Sequence, residues 1–181
     1  MARPRRDRRD QRVREAPAQG YEANAGALTG VLLDSDVIIE VLRGNEEVVD
    51  AVAALEADGV PTYCAPISWA EVYAGLRPGE EAATSAFFEA CGEVILDAVA
   101  GRQAGHYLAR YADSHGVEIA DALVAAAAAT AGLSLWTRNR RHYPMPHLRF
   151  YEPECEAETS ARSLVAGDQP ASGEQDEDDE V

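Results

Sequence analysis

The stretch that decides the fold is Val31-Leu32-Leu33-Asp34-Ser35-Asp36, an apolar run that ends in two carboxylates and leads into the helix-patterned Val37-Ile38-Ile39-Glu40-Val41-Leu42. A strand that gives way to an acid and then a helix is the unit of a parallel α/β sheet. The edge where its strands end is where such sheets do chemistry. Working outward, the same kind of transition recurs at Ser68-Trp69-Ala70-Glu71 and at Ile119-Ala120-Asp121-Ala122, and is followed by Leu133-Ser134-Leu135-Trp136-Thr137-Arg138-Asn139. Asp34, Asp36, Glu71 and Asp121 are therefore expected at one edge of one sheet.

Around these acids short apolar runs alternate with longer helical ones, with few tight-hairpin signals, which points to βαβ units. Strands are expected at Val31 to Leu33, Thr62 to Ala65, Val94 to Leu96, Leu133 to Trp136 and Leu148 to Tyr151. Helices are expected at Val37 to Leu42, Val48 to Ala57, Ser68 to Leu76, Glu81 to Cys91, Ala98 to His115 and Ile119 to Ala131. Arg43-Gly44 separates the first two as a cationic helix end and a Gly stop. The last helix is so rich in Ala that its backbone can lie very close to the sheet. The fold class is α/β, a parallel sheet flanked by helices.

With 181 residues and 46% hydrophobic content, the chain can bury one sizeable core but not two. Its charge marks the domain limits. Residues 1–15 carry seven Arg and three acids with almost nothing apolar, and from Glu154 to Val181 there are ten acids and one Arg. The expected organisation is a disordered basic arm over residues 1–28, a single domain over 29–153 and a disordered acidic tail over 154–181. A basic arm can grip phosphate backbones and an acidic tail can compete with nucleic acid or bind a basic partner; a solvated tail, or an initiator upstream of the true start, is the alternative. All 16 Lys+Arg residues are Arg, which genome composition explains as readily as selection. The longest apolar stretch, Ala122 to Ala129, is far short of the about 20 residues needed to cross a bilayer. The Arg-rich start lacks the apolar segment of a secretory signal. Cys64, Cys91 and Cys155 form no C-x-x-C pair, as expected of incidental thiols in a reducing compartment. The cytoplasm is the expected location.

Each acid also has a purely structural explanation. Asp34 or Asp36 can cap the helix that follows, Ser68 and Glu71 form an S-x-x-E capping box, and Asp121 in a first turn is favoured by the helix dipole. Taken together, acids from three separate helix starts in one partly buried cleft would repel strongly unless paired. A hard divalent cation resolves that repulsion, and oxygen donors without His or Cys suit Mg²⁺ or Mn²⁺ over Zn²⁺. Such an ion promotes phosphodiester hydrolysis. His106, His115, His142 and His147 show no metal-ligand spacing and are expected mostly at the surface.

These four ordered motifs, Leu-Leu-Asp34-Ser-Asp-Val-Ile-Ile-Glu-Val-Leu-Arg43-Gly44, Ser68-Trp-Ala-Glu71, Ile-Ala-Asp121-Ala-Leu-Val-Ala-Ala and Thr137-Arg-Asn139-Arg-Arg-His142-Tyr143, resemble PIN-domain ribonucleases, and among them VapC-type toxins of bacterial toxin–antitoxin pairs. The likeness spans about residues 31–152. It implies a Mg²⁺- or Mn²⁺-dependent endoribonuclease with an RNA substrate, a homodimer and a cognate antitoxin that fills the cleft. By position, Asp34, Glu71 and Asp121 match the metal-binding acids. The implied roles are metal ligation by Asp34 and Asp121, completion of the ligand set or positioning of the attacking water by Glu71, and assistance from Asn139. Asp36 is read as a helix cap. Family members often carry a further acid near Asn139 or His142, and neither position is acidic here.

Arg138, Arg140, Arg141 and His142 place positive charge beside the acids, as a phosphate backbone requires, with Thr137 able to hydrogen-bond at the strand end; a solvated basic turn is the alternative. Residues 28–153 hold eighteen acids against eight Arg, so strong unspecific RNA affinity is not expected, and recognition of splayed loops fits better. Two other enzyme classes share part of the pattern. Asp34-Ser35-Asp36 resembles the D-x-D of haloacid-dehalogenase-like phosphatases, whose later acidic motif is missing; a receiver domain needs a Lys, and the chain has none. A catalytically degenerate binding module is the non-enzymatic alternative.

Overall fold

A computed structural model describes residues 29–153. The arm expected over residues 1–28, the tail over 154–181 and Cys155 lie outside the described residues. In chain order the elements are β1 (Val31–Leu33), α1 (Ser35–Leu42), α2 (Glu46–Ala57), β2 (Thr62–Cys64), α3 (Pro66–Ala74), α4 (Glu81–Ala90), β3 (Gly92–Glu93), α5 (Ala98–His115), α6 (Ile119–Ala131) and β4 (Ser134–Trp136), with a 3₁₀ turn at Arg140–His142. The sheet order is β3-β2-β1-β4, and every pair is parallel. The chain leaves β1 toward β2 on one side and returns to it as β4 on the other. That reversal makes the carboxyl ends of β1 and β4 a topological switch point, where such sheets open a crevice.

Alternation along the strands divides the core in two. Leu32 and Leu135 face the layer of α5 and α6, while Val31, Leu33 and Trp136 face α1 to α4. Ala122, Ala125, Ala126, Ala127 and Ala128 of α6 are fully buried. Side chains this small let the helix seat close against the core, as its composition suggests. Among the described residues no helix is long and apolar enough to cross a membrane.

Two expected strands are corrected. The third pairs at Gly92–Glu93 instead of Val94 to Leu96: Tyr63 lies opposite Gly92, and a Cβ there would stand 2.5 Å from the Tyr63 ring, so glycine gives the ring its seat. Val94 then donates one more bond to the Cys64 carbonyl before the strand ends, leaving Ile95 79% exposed. The apolar run Leu148 to Tyr151 is not a strand but a single parallel bridge, Leu135 to Phe150. It cannot lengthen in either direction. Pro153 has no N–H to continue the ladder, and the Leu133 N–H is already bound to the Ala128 carbonyl at the end of α6.

Helix starts differ for local reasons. Asn45 accepts a bond from the Val48 N–H and starts α2 at Glu46, two residues before the apolar pattern begins. Pro66 starts α3 without a side-chain cap. This removes the Ser68–Glu71 capping box: Ser68 lies inside the helix, fully buried, and Glu71 lies one turn further on. The sheet itself depends on Gly30, whose φ of +149° is open to glycine and whose Cβ would stand 2.3 Å from the Pro61 carbonyl oxygen, the acceptor of the Val31 N–H. Gly30→Ala is expected to destabilise the protein by at least about 2 kcal/mol, read as a lower urea midpoint at unchanged slope.

Candidate active site

β1 ends at Leu33, and the next residue occupies the switch point. The Asp34 N–H donates to the Trp136 carbonyl (3.0 Å), joining the ends of β1 and β4. Its side chain caps α1 by accepting the Ser35 N–H at Oδ1 (2.8 Å), and at Oδ2 it accepts the Tyr143 hydroxyl (2.7 Å). Only 7% of Asp34 is exposed. Burial raises its pKa above the ordinary carboxylate range, bonds from Tyr143, Thr137 and Ser35 oppose that, and the charge of Asp121 reinforces it. Tyr143 is itself buried, and burial followed by the Asp34 charge raises its pKa far above normal, so it stays a proton donor to Asp34 at neutral pH.

Asp121 sits in the first turn of α6, where Oδ2 accepts the Glu118 N–H (2.8 Å) while Glu118 caps the helix in return. The expected dipole and capping role of Asp121 is thus present, in a capping box with Glu118. His142 Nδ1 approaches Asp121 Oδ2 to 3.4 Å and Asn139 Nδ2 to 3.1 Å. One nitrogen cannot serve both at once, since it accepts from the amide without its proton and donates to the carboxylate with it. Glu71 stands exposed on α3 at the mouth. Desolvation first raises its pKa, a bond with Ser35 opposes that, and the charges of Asp34, Asp121 and Glu118 add to the rise. Three acids from the starts of α1 and α6 and from the middle of α3 thus sense one another across the crevice.

Asp36 is not the cap of α1; Asp34 holds that place. Asp36 instead reaches across to β4, where Oδ2 accepts the Thr137 hydroxyl (3.3 Å) and the Arg138 N–H (3.0 Å), while Oδ1 is buried without a hydrogen-bond partner. It straps the start of α1 to the loop after β4. Thr137, 6% exposed, is turned inward and serves this strap and the Asn139 N–H. The basic turn is already partnered within the protein. Arg138 pairs with Glu40 (3.0 Å), Arg140 pairs with Glu152 and lies over the Phe150 ring, and Arg141 Nε donates to Asn139 Oδ1 (3.0 Å). The Asn139 side chain therefore touches His142 and Arg141 and reaches Asp121 through His142, while its backbone N–H is tied through Thr137 to Asp36.

The acids gather at one edge, but among the described residues no three His, Cys, Asp or Glu side chains converge into a ready-made metal cluster. Asp34 and Asp121 each spend an oxygen on a helix cap. In donor chemistry the group suits a hard divalent cation: all oxygen, mutually repelling and partly desolvated. Four contributors escaped the sequence reading. Tyr143 and Glu40 act across long sequence separations that no local pattern reports; Ser35 looks like a spacer; and Glu118 was readable, since E-x-x-D at a helix start is itself a capping-box spacing.

Comparison with known proteins identifies the family. The model described as PIN domain matches residues 31–148. The chain belongs to the PIN domain family. Its match to ribonuclease VapC19 of Mycobacterium tuberculosis is 33% identical over 115 residues, 63% of this chain and 92% of that protein. Ribonuclease VapC10 of the same organism is 34% identical over 116 residues, 64% of this chain and 86% of its own. The crystal structure of DNA-bound VapBC from Salmonella typhimurium shares the fold, with a TM-score of 0.59 at 19% identity over 68% of this chain and 98% of that one. Membership of this PIN family sets aside the haloacid-dehalogenase reading of Asp34-Ser35-Asp36.

Asp36 yields a pH test. Burial first, and then the Asp34 charge, push it from 3.8 up to about 6, while bonds from the Arg138 and Val37 backbone and the Thr137 hydroxyl oppose the rise. The folded PIN domain therefore holds a proton that the unfolded chain gives up, and this group's contribution to stability is lost as pH rises from about 4 to about 6. Asp36→Asn should raise the melting temperature in chelator at pH 7 by a few degrees, about 1 kcal/mol in a domain this size, with the gain fading at pH 4.

Proposed function

We propose that the protein is a metal-dependent endoribonuclease, the toxin of a toxin–antitoxin pair. The observation that carries this reading is the meeting of Asp34, Glu71 and Asp121 at the switch point of a PIN domain. Two relatives at 33% and 34% identity, matched over most of their own lengths, are named ribonucleases, which supports an RNA-hydrolysing enzyme. Structures of the same fold include one described as a toxin-antitoxin complex from Klebsiella pneumoniae, which supports a cognate antitoxin as partner. A homodimer working in the cytoplasm completes the reading.

Asp34, Glu71 and Asp121 would hold Mg²⁺ or Mn²⁺, which when bound supplies charge neutralisation at the phosphoryl group and a more acidic water. Everything else falls to the chain. Tyr143 holds the Asp34 carboxylate in place and favours its ionised form against burial. Ser35 does the same for Glu71. His142 binds either Asp121 or Asn139 and so sets whether the Asn139 amide is free to orient a water. Arg141, bound among the described residues through Nε to Asn139, offers the readiest phosphate contact; Arg138 and Arg140 must first leave Glu40 and Glu152. Splayed single-stranded RNA fits such a small basic turn better than duplex does.

Cleavage of a mixed RNA pool by the purified protein should require Mg²⁺ or Mn²⁺, stop with chelator and fall by at least about three orders of magnitude in Asp34→Asn, the loss of several kcal/mol of transition-state stabilisation. Equal cutting by both proteins would sink the site. Tyr143→Phe removes a bond that lowers the Asp34 pKa, so the acid limb of the pH–rate profile should move upward. Activity on the acid limb then falls and returns at higher pH, whereas a merely structural defect would depress the whole profile.

A further inference from the structure

The basic turn after β4 is the most concentrated positive feature of the described residues. Residues 28–153 hold eight Arg, and three of them, Arg138, Arg140 and Arg141, fall within four consecutive positions. All three are exposed. Glu152 of the chain's own C-terminal stretch already sits on this turn, paired with Arg140, whose guanidinium is stacked on Phe150. One residue later, at Pro153, the described chain gives way to residues 154–181, which carry ten acids and one Arg.

We propose that the acidic segment Glu154–Val181 docks on the Arg138–Arg141 turn as a tethered competitor for RNA phosphates. Three observations carry it. The ion pair of Arg140 with Glu152 is an existing contact of which Glu154, Glu156 and Glu158 are the direct continuation. An extended chain advances about 3.5 Å per residue, so those acids come within reach of Arg141 and Arg138 with no long loop to close. The segment's ten carboxylates offer the same charge that an RNA backbone would, and a short tether holds them at an effective concentration of about millimolar. Arg138 already holds one carboxylate, Glu40 (3.0 Å), which the acidic segment would share or replace. The acidic segment thereby makes the turn's affinity for RNA conditional: an RNA that makes several contacts at once displaces it, and a weakly held one does not. The competition, unlike the docking, rests on the ribonuclease reading above.

The test uses the full chain against a full-length variant in which every acid from Glu154 to Glu180 is replaced by its amide, a change outside the domain. The first readout is the Nε–Hε resonances of Arg138, Arg140 and Arg141 in ¹H–¹⁵N spectra. The second is binding of a fluorescent single-stranded RNA of mixed sequence, in chelator so that none is cut. The arginine resonances should shift in the variant. RNA should bind between about two- and tenfold more tightly at low salt, the difference closing near 0.5 M salt as screening weakens both contacts. Arginine resonances that do not move overturn the proposal, and so do shifts confined to Arg3 through Arg14, which would place the acidic segment on the basic arm. Shifted turn resonances in a protein that binds no RNA support the docking and count against the ribonuclease reading instead.

Discussion

A carboxylate held almost out of water is the constraint on which the rest of this structure hangs. Asp34 sits where β1 and β4 diverge, and a charge in that position is costly unless it is hydrogen-bonded on all sides. Its oxygens accept Ser35 N–H and Tyr143 O–H, and its backbone N–H donates to the Trp136 carbonyl, so the start of α1, the end of β4 and the segment after the basic turn all meet on one residue. Remove any of these donors and the charge is left dearer to keep. Burial still dominates, and the pKa stays raised. The fold therefore tolerates a site whose ionisation opposes stability, the usual sign of a group kept for chemistry.

The neighbouring acids sharpen that opposition. Asp36, two residues on, carries one oxygen buried without a partner and a pKa near 6, and the charges of Asp34 and Asp121 add to the burden on Glu71. None of these capping and strapping bonds removes the repulsion; they only direct it into one crevice. A divalent cation entering there would relieve several unfavourable terms together. The oxygen-only character of the donors suits a hard ion, and Asp34 and Asp121 each also serve a helix cap.

Positive charge is organised by the same economy of partners. Glu40 takes Arg138, Glu152 takes Arg140 and Asn139 takes Arg141, so the turn is held by partners within the protein. Ordering of this kind lowers the entropic cost of binding but raises its electrostatic cost, because two of the three guanidinium groups must exchange one anion for another. With eighteen acids against eight Arg over residues 28–153, that exchange would favour selective over tight contact with a polyanion.

Much of this was legible in the chain. Strand-to-helix transitions at Asp34 and Asp121, the bounds of α5 and α6, and four ordered motifs located the parallel sheet, its family and the edge where its acids collect, because hydrophobic period and helix-start chemistry are local properties. What the sequence could not settle was which partner each polar group chooses. Asp36 looked like a cap and is a strap to Thr137 and Arg138, more than a hundred positions away; Glu71 looked like half of a capping box and is not; Leu148 to Tyr151 looked like a strand and pairs at one residue. Tyr143 gave no sign of its bond to Asp34. Each of those outcomes turns on which of several competing donors lies nearest once the sheet has closed. The sequence determined the helices, most of the strands and the family, while only the tertiary structure decided the pairings, since a hydrogen bond depends on distance and angle between groups that the linear order leaves unrelated.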